Sequence, residues 1–129
     1  MQADADLVLD GGVSAKVKGK GGSCAPTPRG GGRIEVRGRD GAGKELTLVV
    51  FVSKADEWDR PVVSLKADVA GAGSQLFVWS PGDAGTVTIK PDVAGVDIDV
   101  QLRAIEPKDV LPADKKTVAA KGSVRCSGP

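Results

Sequence analysis

Histidine, tyrosine and asparagine are absent from this chain, and its aromatic side chains are limited to two Phe and two Trp. Without an imidazole, Ser–His–Asp and Cys–His nucleophiles and His-ligated metal sites are excluded. With so few aromatics, the core has to be built from Val, Leu, Ile and Ala. Long apolar runs are missing too: none approaches the ~20 residues that a membrane-crossing helix needs. Charge of one sign is also lacking. The 18 Lys and Arg against 17 Asp and Glu leave a net charge of +1, which argues against a nucleic-acid partner. The opening Met1-Gln2-Ala3-Asp4-Ala5 has neither the basic start nor the apolar stretch of a signal peptide. Together with the cysteines discussed below, this opening is expected of a mature ectodomain whose leader has been removed.

What is present points to strands. The 129 residues make one domain's worth of chain, able to bury about two-thirds of its unfolded surface. A single domain over 1–129 is expected, with flexible ends at 1–5 and 127–129. The 18 Gly and 8 Pro are spread along the chain, marking many turns with short apolar runs between them. Val13, Ala15 and Val17 alternate with Ser14, Lys16 and Lys18, the two-residue period of a half-buried strand. Residues 19–32 read as a loop, 33–37 as a strand, 40–43 as a turn and 45–53 as a return strand. In that return strand Leu46, Leu48, Val50 and Val52 share one face while Val49 and Phe51 occupy the other. Such a pattern belongs to a central strand, or to one that meets a partner outside the core. A polar connection at 55–61 precedes strands at 63–69, 76–79 and 86–90. The cleanest alternation places Val96, Ile98, Val100 and Leu102 inward with Asp97, Asp99, Gln101 and Arg103 outward. Residues 106–116 read as a loop or one helical turn, and 117–126 as the closing strand. Eight or nine strands without a long helix predict an all-β, single-domain antiparallel β-sandwich, immunoglobulin-like or jelly-roll.

Cys24 and Cys126 sit near the two ends of this pattern. They have no metal-ligand spacing, and a zinc site would need carboxylates for its other ligands. A disulfide is expected instead. Closing a loop of roughly 100 residues is worth up to ~4–5 kcal/mol in the chain-entropy model, a large share of a domain's ~5–15 kcal/mol. It also implies an oxidising, extracytoplasmic compartment.

Three groups of residues are candidates for chemistry. Gly38-Arg-Asp-Gly-Ala-Gly-Lys44 meets the first seven positions of the phosphate-loop pattern, but Glu45 stands where a Ser or Thr hydroxyl should hold magnesium. A strand rather than a helix follows, so a Gly-rich hairpin turn explains it. Asp97 and Asp99 lie on one strand face, about 7 Å apart if extended. With Asp92 they are the candidate set for calcium, and the same pair is the candidate centre of a carboxylate hydrolase. The simpler account of them is a solvated strand face. No cofactor is expected. From Lys16 to Arg39 there are seven basic residues and one acid, Glu35, whereas Asp92 to Asp114 carries six acids and two bases. Lys16 and Lys18, and Arg33 and Arg37, share faces and are candidate contacts for a protein, glycan or anionic surface. They lack the interleaved aromatics that stack on bases. Patches of opposite sign also allow weak self-association. Trp58, bracketed by charges in Ala55-Asp-Glu-Trp-Asp-Arg-Pro61, is the remaining candidate contact, since exposed aromatics anchor sugars or proteins.

Leu7-Val-Leu-Asp-Gly11, Val17-Lys-Gly19 and Cys24, with Gly122-Ser-Val-Arg-Cys-Ser127 at the other end, resemble the mycobacterial nineteen-kilodalton lipoprotein antigen family. The resemblance implies a lipid-anchored envelope lipoprotein with a β-rich ectodomain and no catalysis, engaging host receptors mainly through the lipid. Membrane association would then run through an anchor attached ahead of Met1. The expectation is a non-enzymatic, extracytoplasmic binding module at a bacterial surface. The alternative is a structural or decoration module of a larger particle.

Overall fold

The structure is a computed structural model and describes residues 1–27, 31–55, 58–90, 94–106 and 111–127. Nine strands run in chain order: β1 (Gln2–Gly11), β2 (Ala15–Thr27), β3 (Gly31–Arg39), β4 (Glu45–Ala55) and β5 (Trp58–Val69) are followed by β6 (Gly73–Trp79), β7 (Gly85–Ile89), β8 (Gly95–Glu106) and β9 (Thr117–Ser127). A 3₁₀ turn, Ala113–Lys115, precedes β9. The strands extend past the expected boundaries. Residues 2–5, expected to be flexible, are laddered to both β2 and β9. Most of the loop expected at 19–32 is strand, because Gly22 to Thr27 pairs with Gly31 to Val36. The polar connection expected at 55–61 shrinks to a tip, since Trp58 already pairs with Ala55.

The expected β-sandwich is overturned. Strand order runs β6-β5-β4-β3-β2-β1-β9-β8-β7, and β6 also pairs with β8. Leu76, Phe77 and Val78 meet Glu106, Ala104 and Arg103, which closes eight strands into an antiparallel barrel, with β7 lying beside β8. Immunoglobulin-like and jelly-roll paths are therefore both excluded. In–out alternation is the same in a sandwich and a barrel. The difference lies in which strand β6 pairs with, a contact between distant parts of the chain.

Eight strands enclose a lumen just wide enough for side chains to fill. Inward positions carry Leu7, Ile34, Leu48, Leu65, Phe77 and Leu102, all fully buried. The aliphatic core expected from composition is thus the barrel interior. Val13 and Leu111, outside the strands, are buried with it.

Closure requires sharp bending, and two devices supply it. Cys24 on β2 and Cys126 on β9 are disulfide-bonded with their Cα atoms 6.0 Å apart. These strands flank β1, and next-but-one strands normally lie about 9–10 Å apart. The bridge therefore holds the sheet folded around the start of β1. Glycine at inward positions is the second device. Gly122, opposite Leu7 and Ile98, has φ +141°, and an added Cβ would run into the Asp6 carbonyl. Gly22 repeats this against the Glu35 carbonyl. Bare backbone at such points lets neighbouring strands coil closely. Gly122→Ala is expected to lower stability by about 2–3 kcal/mol. Gly41→Ala, where a Cβ meets only ordinary contact at 3.5 Å, should stay within about 0.5 kcal/mol. Urea unfolding of both variants checks this, and equal midpoints would contradict it.

Candidate binding surface

With the lumen filled by side chains, the outer face is where recognition chemistry has to reside. On β9, β1, β2 and β8 that face is charged. Lys20, Lys18 and Lys16 on β2 stand opposite Asp4, Asp6 and Val8 on β1, and Lys121 on β9 stands opposite both Val8 and Asp99. Arg33 and Arg37 on β3 both reach Glu35, at 3.2 and 2.8 Å. The basic stripe is therefore divided: Lys18 and Lys20 face aspartates of β1, Lys16 faces Val8, and Arg33 and Arg37 grip Glu35. The hydrogen bond from Arg37, opposed by burial and reinforced by the bond from Arg33, holds the Glu35 carboxyl below its ordinary range.

Asp97 and Asp99 share the outer face of β8, as expected, but do different things. Lys90 at 3.0 Å and Arg125 at 2.9 Å grip Asp97, and their hydrogen bonds hold its carboxyl below its ordinary value. Asp99 is exposed, opposite Thr86 and Lys121. Asp92 lies outside the described residues. Among the described residues no cluster of three metal-ligating side chains occurs. The loop Gly38–Lys44 is the β3–β4 turn, and the Asp40 carboxylate accepts hydrogen bonds from the Ala42 and Lys44 amides, both 2.9 Å. The turn is thus satisfied from within.

Strands β4, β5, β6 and the end of β8 differ. Their outer face carries an apolar patch among polar residues. Phe51 is opposite Val62. Val49 is opposite Ser64, which in turn faces Val78. Leu76 lies beside Ile105, in the bulge where β6 meets β8. Phe51, Leu76 and Ile105 are 44%, 38% and 40% exposed, and Val49, Val62 and Val78 are half-buried. Arg33, exposed, stands next to Phe51, Lys66 next to Leu76, and Arg103 next to Val78. Phe51, Leu76 and Ile105 are thus the exposed large apolar side chains on this side of the barrel. Trp58 is the first residue of β5, opposite Ala55 at the tip of the hairpin carrying Phe51 and Val62. Its side chain lies outside those described.

The double-faced alternation of β4 announced Val49 and Phe51. Leu76 and Val78 were not legible as outward, because β6 is apolar at every position from Leu76 to Trp79. Its larger Phe77 and Trp79 occupy the interior. Ile105 was available in principle. It continues the outward row of Asp97, Asp99, Gln101 and Arg103 by the same period of two.

Set against family models, curated proteins and solved structures, the chain matches none of them.

The depressed Glu35 carboxyl has a consequence for pH. A carboxylate with a lowered folded pKa adds stability above its unfolded value, and that stability is lost as pH falls through the folded value. The loss therefore begins near the ordinary 4.5 and continues below it. Glu35→Gln should flatten the acid limb of the urea midpoint between about pH 5 and 2. An acid limb as steep as the parent's would contradict this account of the Arg33–Glu35–Arg37 group.

Proposed function

We propose that this chain is a non-enzymatic binding module that works in an oxidising compartment outside the cytoplasm, as the ectodomain of an envelope lipoprotein or a secreted protein. The observation that carries the reading is the outward apolar face of Val49, Phe51, Val62, Leu76, Val78 and Ile105 on a barrel whose interior is packed with side chains. Burying such a face gains roughly 25 cal/mol per Å², so a partner offering apolar surface is favoured. The exposed Lys66 beside Leu76 favours a partner that also presents acids, which agrees with a protein or an anionic envelope surface.

The Cys24–Cys126 disulfide supports the assignment in being compatible with an extracytoplasmic address. No described helix is long and apolar enough to cross a membrane. In this reading envelope attachment runs through a lipid anchor. No reaction is assigned. The chain lacks histidine, and the Asp97 half of its outward carboxylate pair is held by two cations.

The test is binding of the labelled protein to washed envelopes of its native host. The double variant Phe51→Asp/Leu76→Asp alters only exposed side chains and should fold with unchanged circular dichroism. It is expected to lose saturable binding by at least about tenfold. Binding equal to the parent's would overturn the assignment of this face.

A further inference from the structure

Along β8 the barrel wall is interrupted. The β5–β6 ladder ends at Val63 opposite Trp79, and residues 58–62 of β5 are laddered only to β4. The chain then turns through Ser80–Ala84. This turn is held by the Asp83 carboxylate, which accepts hydrogen bonds from the Ser80 amide (3.0 Å) and the Arg103 guanidinium (2.8 Å). The Trp79 indole N–H donates to the Ala84 carbonyl at 3.1 Å. The chain re-enters as β7, which among the described residues is laddered to β8 alone.

The direction of β7's backbone groups follows from its two ends. The Gln101 amide donates to the Ala84 carbonyl at 3.0 Å, and the Lys90 amide donates to the Gly95 carbonyl at 2.9 Å. In an antiparallel ladder each residue turns both its N–H and its C=O to one side, and neighbours alternate. Thr86 and Thr88 therefore face β8. Gly85, Val87 and Ile89 present their N–H and C=O groups to the open edge.

Edge strands are usually protected by charge, proline or a bulge. Gly85-Thr-Val-Thr-Ile89 has no charge and no proline, and four of its residues are β-branched, the type that strands favour. It is also symmetric about Val87. Two copies aligned antiparallel on Val87 place Thr86 of each opposite Thr88 of the other, a favourable cross-strand pairing. Gly85 then meets Ile89, and up to about six backbone hydrogen bonds form. The neighbouring charge does not oppose this, since Lys90 is already paired with Asp97 at 3.0 Å.

We propose that the β7 edge is the contact for a second copy of this chain, joining two barrels through an antiparallel β7–β7 pair. The inference goes beyond the binding face, which lies on other strands, and does not depend on it.

Sedimentation velocity of the full, oxidised chain from about 1 µM to 1 mM is expected to show reversible monomer and dimer. Val87→Pro removes an outward N–H without touching the bonds to β8 and should leave a monomer. Thr86→Lys/Thr88→Lys changes two exposed side chains, sets Lys against Lys across the pair, and should weaken the dimer about tenfold or more. Mixing it with Thr86→Glu/Thr88→Glu should restore association as a heterodimer, a result specific to this register. A parent that stays monomeric throughout would overturn the proposal. So would folded variants that dimerise as the parent does, or a charge-swapped mixture that stays apart.

Discussion

The pairing of β6 with β8 is the contact on which the rest of this molecule depends. It joins Phe77 to Ala104 and Val78 to Arg103 and so turns a nine-stranded sheet into a ring. Once the ring closes, every inward residue shares one narrow lumen, filled mainly by Val, Leu, Ile, Ala and a single Phe–Trp pair, with Cys24 and Gln75 also buried. A core so poor in aromatics suits a small barrel, where bulky rings have little room. Closure also explains why glycine stands at inward positions such as Gly22 and Gly122, where a neighbouring carbonyl occupies the space a Cβ would need. The disulfide acts where β1 begins, holding β2 and β9 together across it.

A filled lumen leaves only the outside for recognition, and the outside is divided. Over β9, β1, β2 and β8 the charges face one another across neighbouring strands, and the most engaged carboxylates, Glu35 and Asp97, each hold two cations. Exposed pairs of this kind add little stability individually. Their effect is to leave the surface almost neutral, so that the patches of opposite sign seen along the chain meet within one barrel. The apolar face over β4, β5 and β6 has no such internal partner. Nor does the open edge of β7, where the wall is broken by Ser80–Ala84.

Much of this was legible residue by residue. The two-residue alternation at 13–17, 46–52 and 96–102 correctly separated inward from outward side chains, and the disulfide followed from the lack of any other use for two cysteines. The double-faced pattern of β4 set Phe51 on the face opposite Leu46, Leu48, Val50 and Val52 but left open whether that face is covered, and in the structure Phe51 is exposed. Closure was not legible, because alternation reports which face a residue occupies and is silent on which strand lies alongside. The long loop expected around Cys24 failed for a related reason. Gly21 and Gly22 mark tight approaches to the Arg37 and Glu35 carbonyls of the paired strand, and in sequence these look the same as turn glycines. Leu76 and Val78 were hidden because β6 is apolar on both faces, and only the fit of Phe77 and Trp79 inside the lumen decides its orientation.

The claim that the sheet is closed can be tested directly by NMR of the oxidised protein. Cross-strand NOEs linking Phe77 with Ala104 and Val78 with Arg103, together with slow amide exchange along this seam, are the result a closed barrel predicts. Absence of those NOEs, with rapid exchange along β6 and the end of β8, would show an open sheet and contradict the account.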